Sequence, residues 1–156
     1  MKNIYNNLTD NQKHVLAQLS VIVQFSCLGL LIITGPWIAS TLLLFIFETI
    51  GILLGIYAVF SMRWFNLKIS PEVKENAVFT TRGPYRYIRH PMYTALLLTF
   101  VPLIINYPST TRTITGSILL IDLLLKLHFE ERLLAEHFSE YTAYRTKTKK
   151  LIPLIY

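Results

Sequence analysis

Between residues 82 and 93 the chain reads RGPYRYIRHPMY, which sets Arg82, Arg86, Arg89 and His90 within nine positions and then enters an apolar run. Gly83-Pro84 is turn chemistry, and Pro91 suits the first turn of a helix, where its missing N–H goes unused. As the residue before a proline, His90 is pushed to an extended conformation. The N–H groups of Met92, Tyr93 and Thr94 are then expected to stand free at a helix N-terminus. With Arg89 and His90 beside it, such an end reads as an anion site. A plainer reading is an interfacial anchor, with Tyr85, Tyr87 and Tyr93 at headgroup level and the arginines on phosphates.

A second constellation lies about forty residues on. Asp122, Lys126 and Glu130 are spaced i, i+4, i+8, which puts them within about 80° on one helical face. Glu131 adds a second carboxylate beside Glu130. Ionisable groups at membrane depth are expensive unless paired or functional. Pairing within the ladder itself would be worth only a few tenths of a kcal/mol per pair in water. Cations and N–H donors from one helix facing carboxylates from the next suit a ligand that carries both charges.

The elements that must position these residues are membrane helices. With 156 residues, 53% of them apolar and 15% charged, the chain is read as a single domain, 1–156, whose natural solvent is a bilayer. Residues 15–34 contain no charge and reach the roughly 20 residues that cross a hydrocarbon core. Residues 37–62, interrupted only by Glu48, give a second span, and 91–107 and 114–134 a third and fourth. The expectation is an all-α integral membrane protein of about four transmembrane helices with a ligand pocket at their cytosolic ends. The first helix is read as retained rather than as a signal peptide, because its apolar run is long and no small-x-small cleavage site follows.

The single Cys27 excludes an intrachain disulfide and a CxxC pair, and His14, His90, His128 and His137 lack the i, i+4 spacing of a helical zinc site. No metal is expected. Of the fifteen Lys and Arg, only Arg112 falls in the two connections, 35–36 and 108–113, expected outside. By the positive-inside rule both termini and the Arg-rich loop face the cytoplasm. Lys147, Lys149 and Lys150 are expected to grip anionic membrane lipids, and no nucleic-acid partner is expected.

GPYRYIRHPMY followed about forty residues later by EERLLAEHFSEYTAYR resembles the isoprenylcysteine carboxyl methyltransferases and the related phospholipid methyltransferases. The resemblance covers residues 63–153; residues 1–62 match only as generic hydrophobic helices. It implies an integral membrane enzyme that uses S-adenosylmethionine, bound at the cytosolic helix ends, to methylate a lipophilic substrate. Ala77, Val78, Phe79 and Thr80 look like the segment whose backbone contacts the cofactor. Tyr85, His90, Pro91, Met92 and Tyr93 look like the motif that wraps it, Glu130 like the carboxylate that binds it, and Glu131 like the motif's second acid. Lys126 sits where the prenylcysteine enzymes resemble one another in having an arginine toward the substrate. Lysine lacks arginine's bidentate fork, which weakens the case for a substrate carboxylate.

The implied reaction is most like isoprenylcysteine carboxyl O-methylation, with phospholipid amine N-methylation as the alternative. Transfer from a sulfonium is an in-line displacement that mainly requires positioning. A carboxylate acceptor needs no base, whereas an amine or thiol must lose a proton, for which His90 or Glu131 are candidates. Other classes are a small four-helix exporter built on Glu48 near Gly51-x-x-x-Gly55, a sterol-type reductase and a non-catalytic membrane adaptor.

Overall fold

The computed structural model describes residues 9–62, 80–153 and 155. Five helices account for most of them: α1 (Asp10–Ile33), α2 (Leu42–Ser61), α3 (Pro91–Asn106), α4 (Thr110–His137) and α5 (Tyr141–Lys147), with a 3-10 turn at Gly83–Arg86. The expected all-α architecture is found, and no strand occurs among the described residues.

Helix α1 begins five residues before the apolar run because Thr9 and Gln12 form a reciprocal capping box. Its buried residues, Ala17, Gln24, Cys27 and Leu31, recur at helical spacing, while Leu19, Ile22 and Phe25 on the other faces are half or more exposed. Only 22% of the apolar window of α1 and 17% of that of α2 is buried. Helices this apolar and this uncovered are solvated by lipid. The chain is an integral membrane protein. α3 is a shorter apolar helix, and α4 spans 28 residues with buried charges.

The second helix starts at Leu42 rather than residue 37, and side chains explain the delay. The Ala39 N–H donates to Glu48 Oε2 at 2.9 Å and the Thr41 N–H to Asn106 Oδ1 at 3.2 Å. Backbone donors satisfied this way hold residues 37–41 out of the helix. Glu48 is therefore a buried pin for the α1–α2 connection.

α1 packs on α4 and α2 on α3, and an α3–α4 contact joins the two pairs. Leucine gains little by leaving lipid for another helix, so close packing and polar bonds carry the association. A Cβ on Gly51 would lie 2.6 Å from Thr99 Oγ1 and 2.7 Å from Thr99 N, and one on Gly55 would lie 3.4 Å from Ala95 Cβ. Gly51-x-x-x-Gly55 is thus the seat of α3 on α2. Cys27, Leu31, Tyr93, Leu119, Leu123, Leu127 and Leu151 form the core between α1, α3 and α4.

Arg112, expected in the outside connection 108–113, is part of a helix instead. It lies in the first turn of α4, 2% exposed, and donates to Leu31 O at 2.9 Å and Leu103 O at 3.1 Å. These are last-turn carbonyls of α1 and α3, where a cation is favoured by the helix dipole. A Cβ on Gly35 would meet the Arg112 guanidinium, so the glycine leaves room for it at the end of α1.

Candidate active site

The site is assembled around the 3-10 turn. Gly83 adopts φ +58°, and a Cβ there would also strike Ser61 Oγ at the end of α2. Glycine is required on both counts. The turn buries Tyr85 and delivers the chain to Ile88, which forms an isolated parallel bridge with Lys149. Arg89 N–H donates to Lys149 O at 2.7 Å and His90 N–H to Lys150 O at 3.0 Å. The C-terminal segment therefore holds the extended residues that precede Pro91.

His90 is 6% exposed, and both of its ring nitrogens meet carboxylates. Nδ1 lies 3.3 Å from Glu130 Oε2 and Nε2 lies 3.2 Å from Glu131 Oε1. Only the doubly protonated imidazolium donates from both nitrogens. Burial opposes that charge, but the hydrogen bonds and fields of Glu130 and Glu131 outweigh it and raise the His90 pKa. The ring stacks on Tyr93 at 5.5 Å with an interplanar angle of 4°. Tyr93 in turn donates its hydroxyl to Glu130 Oε1 at 2.6 Å.

The two adjacent carboxylates have different surroundings. Glu131 is 6% exposed and takes Arg89 Nε, His90 Nε2 and the Tyr141 hydroxyl on Oε1, with Arg89 Nη2 at 3.4 Å and Arg145 Nε at 3.5 Å from Oε2. Glu130 is the more open, its side chain 23% exposed. Tyr85 is buried, and its hydroxyl has no hydrogen-bond partner among the described residues. Burial first, and then the charge of Glu130, push the Tyr85 phenol well above its ordinary value. Burial also pushes Tyr144 up to about 12, and its hydroxyl donates to Tyr85 O.

Of the residues expected from sequence, Tyr85, His90, Tyr93, Glu130 and Glu131 come together here. Pro91 is buried at the start of α3 and Met92 half-buried beside it, while Thr80 is half-buried next to the turn. Ala77, Val78 and Phe79 lie outside the described residues. Lys126 is 1% exposed and faces α1, donating to Gln24 Oε1 at 2.6 Å.

The expected anion site at the start of α3 is built otherwise. Tyr93 and Thr94 N–H groups both donate to His90 O, and the Arg89 guanidinium is spent on Glu131 and on the carbonyls of Arg145 and Thr148. Sequence reasoning missed Tyr141, Tyr144 and Arg145, whose i, i+3, i+4 spacing on one helix face was a usable signal. It also missed Ser20 and Gln24, two polar residues one turn apart in α1.

The phospholipid methyltransferase family profile matches residues 36–141, which take in α2 through α4 and every carboxylate and histidine of this cluster. The chain belongs to the phospholipid methyltransferase family. It is also similar to a methanethiol S-methyltransferase of Crocosphaera subtropica (strain ATCC 51142 / BH68), 25% identical over 159 residues. That alignment covers 87% of this chain and 61% of the relative, so the chain spans about three-fifths of that protein's length. Within this phospholipid methyltransferase family member, the family match includes the carboxylates, His90 and Tyr141 and leaves out α1 and the Tyr144–Lys150 part of the site.

Proposed function

We propose that this chain transfers a methyl group from S-adenosylmethionine to a lipophilic acceptor. The observation that carries the reading is the unequal treatment of two neighbouring carboxylates. Glu131 is saturated by Arg89, His90, Tyr141 and Arg145, whereas Glu130 accepts from Tyr93 and faces His90 among the described residues and remains the more exposed. Beside it the buried Tyr85 hydroxyl lacks a partner among the described residues. An orphaned phenol and a preset carboxylate fit a ligand with an ammonium and hydroxyl groups, and S-adenosylmethionine has both.

Glu130 would hold the cofactor's ammonium or hydroxyl groups, Tyr85 would supply a further hydrogen bond, and the His90–Tyr93 stack would form a wall. Ala77–Thr80 are assigned to it by the family resemblance. When bound, the cofactor supplies a methyl group activated on a cationic sulfur. The chain's own work is positioning: Tyr93 and His90 fix the Glu130 carboxylate, and Glu131 fixes His90. Glu131 is assigned as a positioning residue, since its lone pairs are already occupied. Lys126 lies one turn of α4 deeper than Glu130, on the acceptor side. From the distribution of Lys and Arg, the site and both termini face the cytoplasm.

Titration calorimetry in nanodiscs tests the reading. Wild type binds S-adenosylmethionine, and Glu130→Gln weakens binding by roughly 10- to 100-fold, the loss of one charge-assisted hydrogen bond. A folded Glu130→Gln variant with wild-type affinity places the cofactor elsewhere.

A further inference from the structure

The C-terminal segment that follows α4 holds the site with its backbone. Lys149 N–H donates to Tyr87 O at 3.2 Å, and the carbonyls of Thr148, Lys149, Lys150 and Leu151 accept from Arg89, His90 and Thr94. Its charged side chains are left outside. Lys147 and Lys149 are exposed, as are Arg82 and Arg86 in and beside the turn to which the segment is bonded, and none of the four is paired with an acid among the described residues.

Residues 81–90 and 141–151 together contain seven Lys and Arg and no Asp or Glu. Bonding the two segments gathers like charge, which opposes the contacts that fix Arg89 and His90. Little in the segment offsets this: α5 has seven residues, a length marginal without packing, and Tyr141, Thr148 and Leu151 are the buried residues of the stretch. A surface of opposite charge would turn the repulsion into attraction.

Position identifies that surface. Gly83 lies against Ser61 at the end of α2, and α3 starts at Pro91, so the cations stand at the level where apolar helices leave the bilayer. Two large apolar or aromatic side chains are exposed near them, Tyr87 and Ile152. The headgroup region suits both, and it places lysine and arginine on phosphates.

We propose that the bonded basic segments, through Arg82, Arg86, Lys147 and Lys149, form a docking surface for the anionic headgroups of the surrounding bilayer, and that docking completes the site. Headgroups on the exposed cations keep the C-terminal segment seated, and its carbonyls then keep Arg89 on Glu131 and His90 between Glu130 and Glu131. This goes beyond anchorage, because it makes the order of the site depend on the charge of the leaflet. Its consequence for cofactor affinity rests on the methyl-transfer reading above.

Hydrogen exchange read by mass spectrometry tests it on the full chain in nanodiscs of phosphatidylcholine alone and of phosphatidylcholine mixed with phosphatidylglycerol. Amides of residues 87–94 and 144–151 should exchange roughly 20- to 100-fold more slowly in the anionic discs, about five-fold for each cation that reaches a headgroup, while α1 is unchanged. The double variant Lys147→Gln, Lys149→Gln should shrink that difference by about five-fold for each charge removed, a change in ratio that a merely structural role would not produce. Titration calorimetry should show S-adenosylmethionine bound about 10-fold or more tightly in the anionic discs. Equal exchange in the two discs, slowing shared equally by α1, an undiminished difference in the folded double variant, or equal cofactor affinity in both discs each overturns the proposal. So does slowing by inorganic phosphate alone in neutral discs, which would make the ligand a soluble anion. The wild-type exchange comparison decides even if the variant fails to fold. Failure of wild type to bind S-adenosylmethionine in either disc overturns the methyl-transfer reading instead, and the exchange data still decide whether the surface docks on lipid.

Discussion

At the scale of single residues, the centre of this protein is a histidine held between two acids. Because both His90 nitrogens face carboxylates and its pKa is raised, the charged ring stabilises the fold. A raised folded-state value means that this stability is fully present below the unfolded value near 6.5 and is lost as pH climbs through the folded value. The melting-temperature gap between wild type and His90→Gln should thus be widest in mild acid and narrow on the alkaline side of neutrality. A thermal-melt series across pH checks it, and a gap that widens with alkalinity would mean a neutral ring. Glu131 allows a second prediction. Removing one member of a buried charge network strands the others, so Glu131→Gln should destabilise the protein by roughly 3 kcal/mol. Glu130→Gln, at the more open carboxylate, should leave the melting temperature close to wild type. Equal losses in the two variants would show that the carboxylates share one structural role.

At the scale of elements, glycines record where helices touch. A Cβ on Gly51 runs into the backbone nitrogen of Thr99, which cannot move without shifting α3, whereas one on Gly116 meets the end of the Ile104 side chain, which can rotate. Gly51→Ala should therefore cost about 1–3 kcal/mol, in the range of overpacked cores. Gly116→Ala and Gly55→Ala should be nearly neutral in the same detergent melt. A neutral Gly51→Ala would place the α2–α3 contact elsewhere. α5 has a different task. It contributes Tyr141 to Glu131, and Tyr144 to the backbone of the 3-10 turn, and the following Thr148–Leu151 stretch is tied to residues 87–94. The C-terminal segment thus helps to build the site that the Arg-rich turn begins.

At the scale of the whole molecule, the polar groups lie at the helix ends and along one seam, and the apolar faces of α1 and α2 are left to lipid. Arg112 belongs to the bundle, since it clamps the last turns of α1 and α3. The orientation read from charge is open to a labelling test. A cysteine introduced at exposed Thr110 should react with impermeant reagent from outside and one at exposed Ser139 only from the cytoplasm; the reverse pattern would invert the topology. Apolar run length and the placement of Pro91 and Gly83 are local properties, so the amino-acid order alone determined a helical membrane protein, the start of α3 and the membership of Tyr85, His90, Tyr93, Glu130 and Glu131 in one region. Partner choice was decided only by tertiary structure. Arg89 turned to Glu131, 42 positions away, rather than to an anion, and Lys126 turned to Gln24, 102 positions away. A buried charge must take whichever partner the packed helices bring within reach, and that neighbour is set by the bundle rather than by the residues on either side of it.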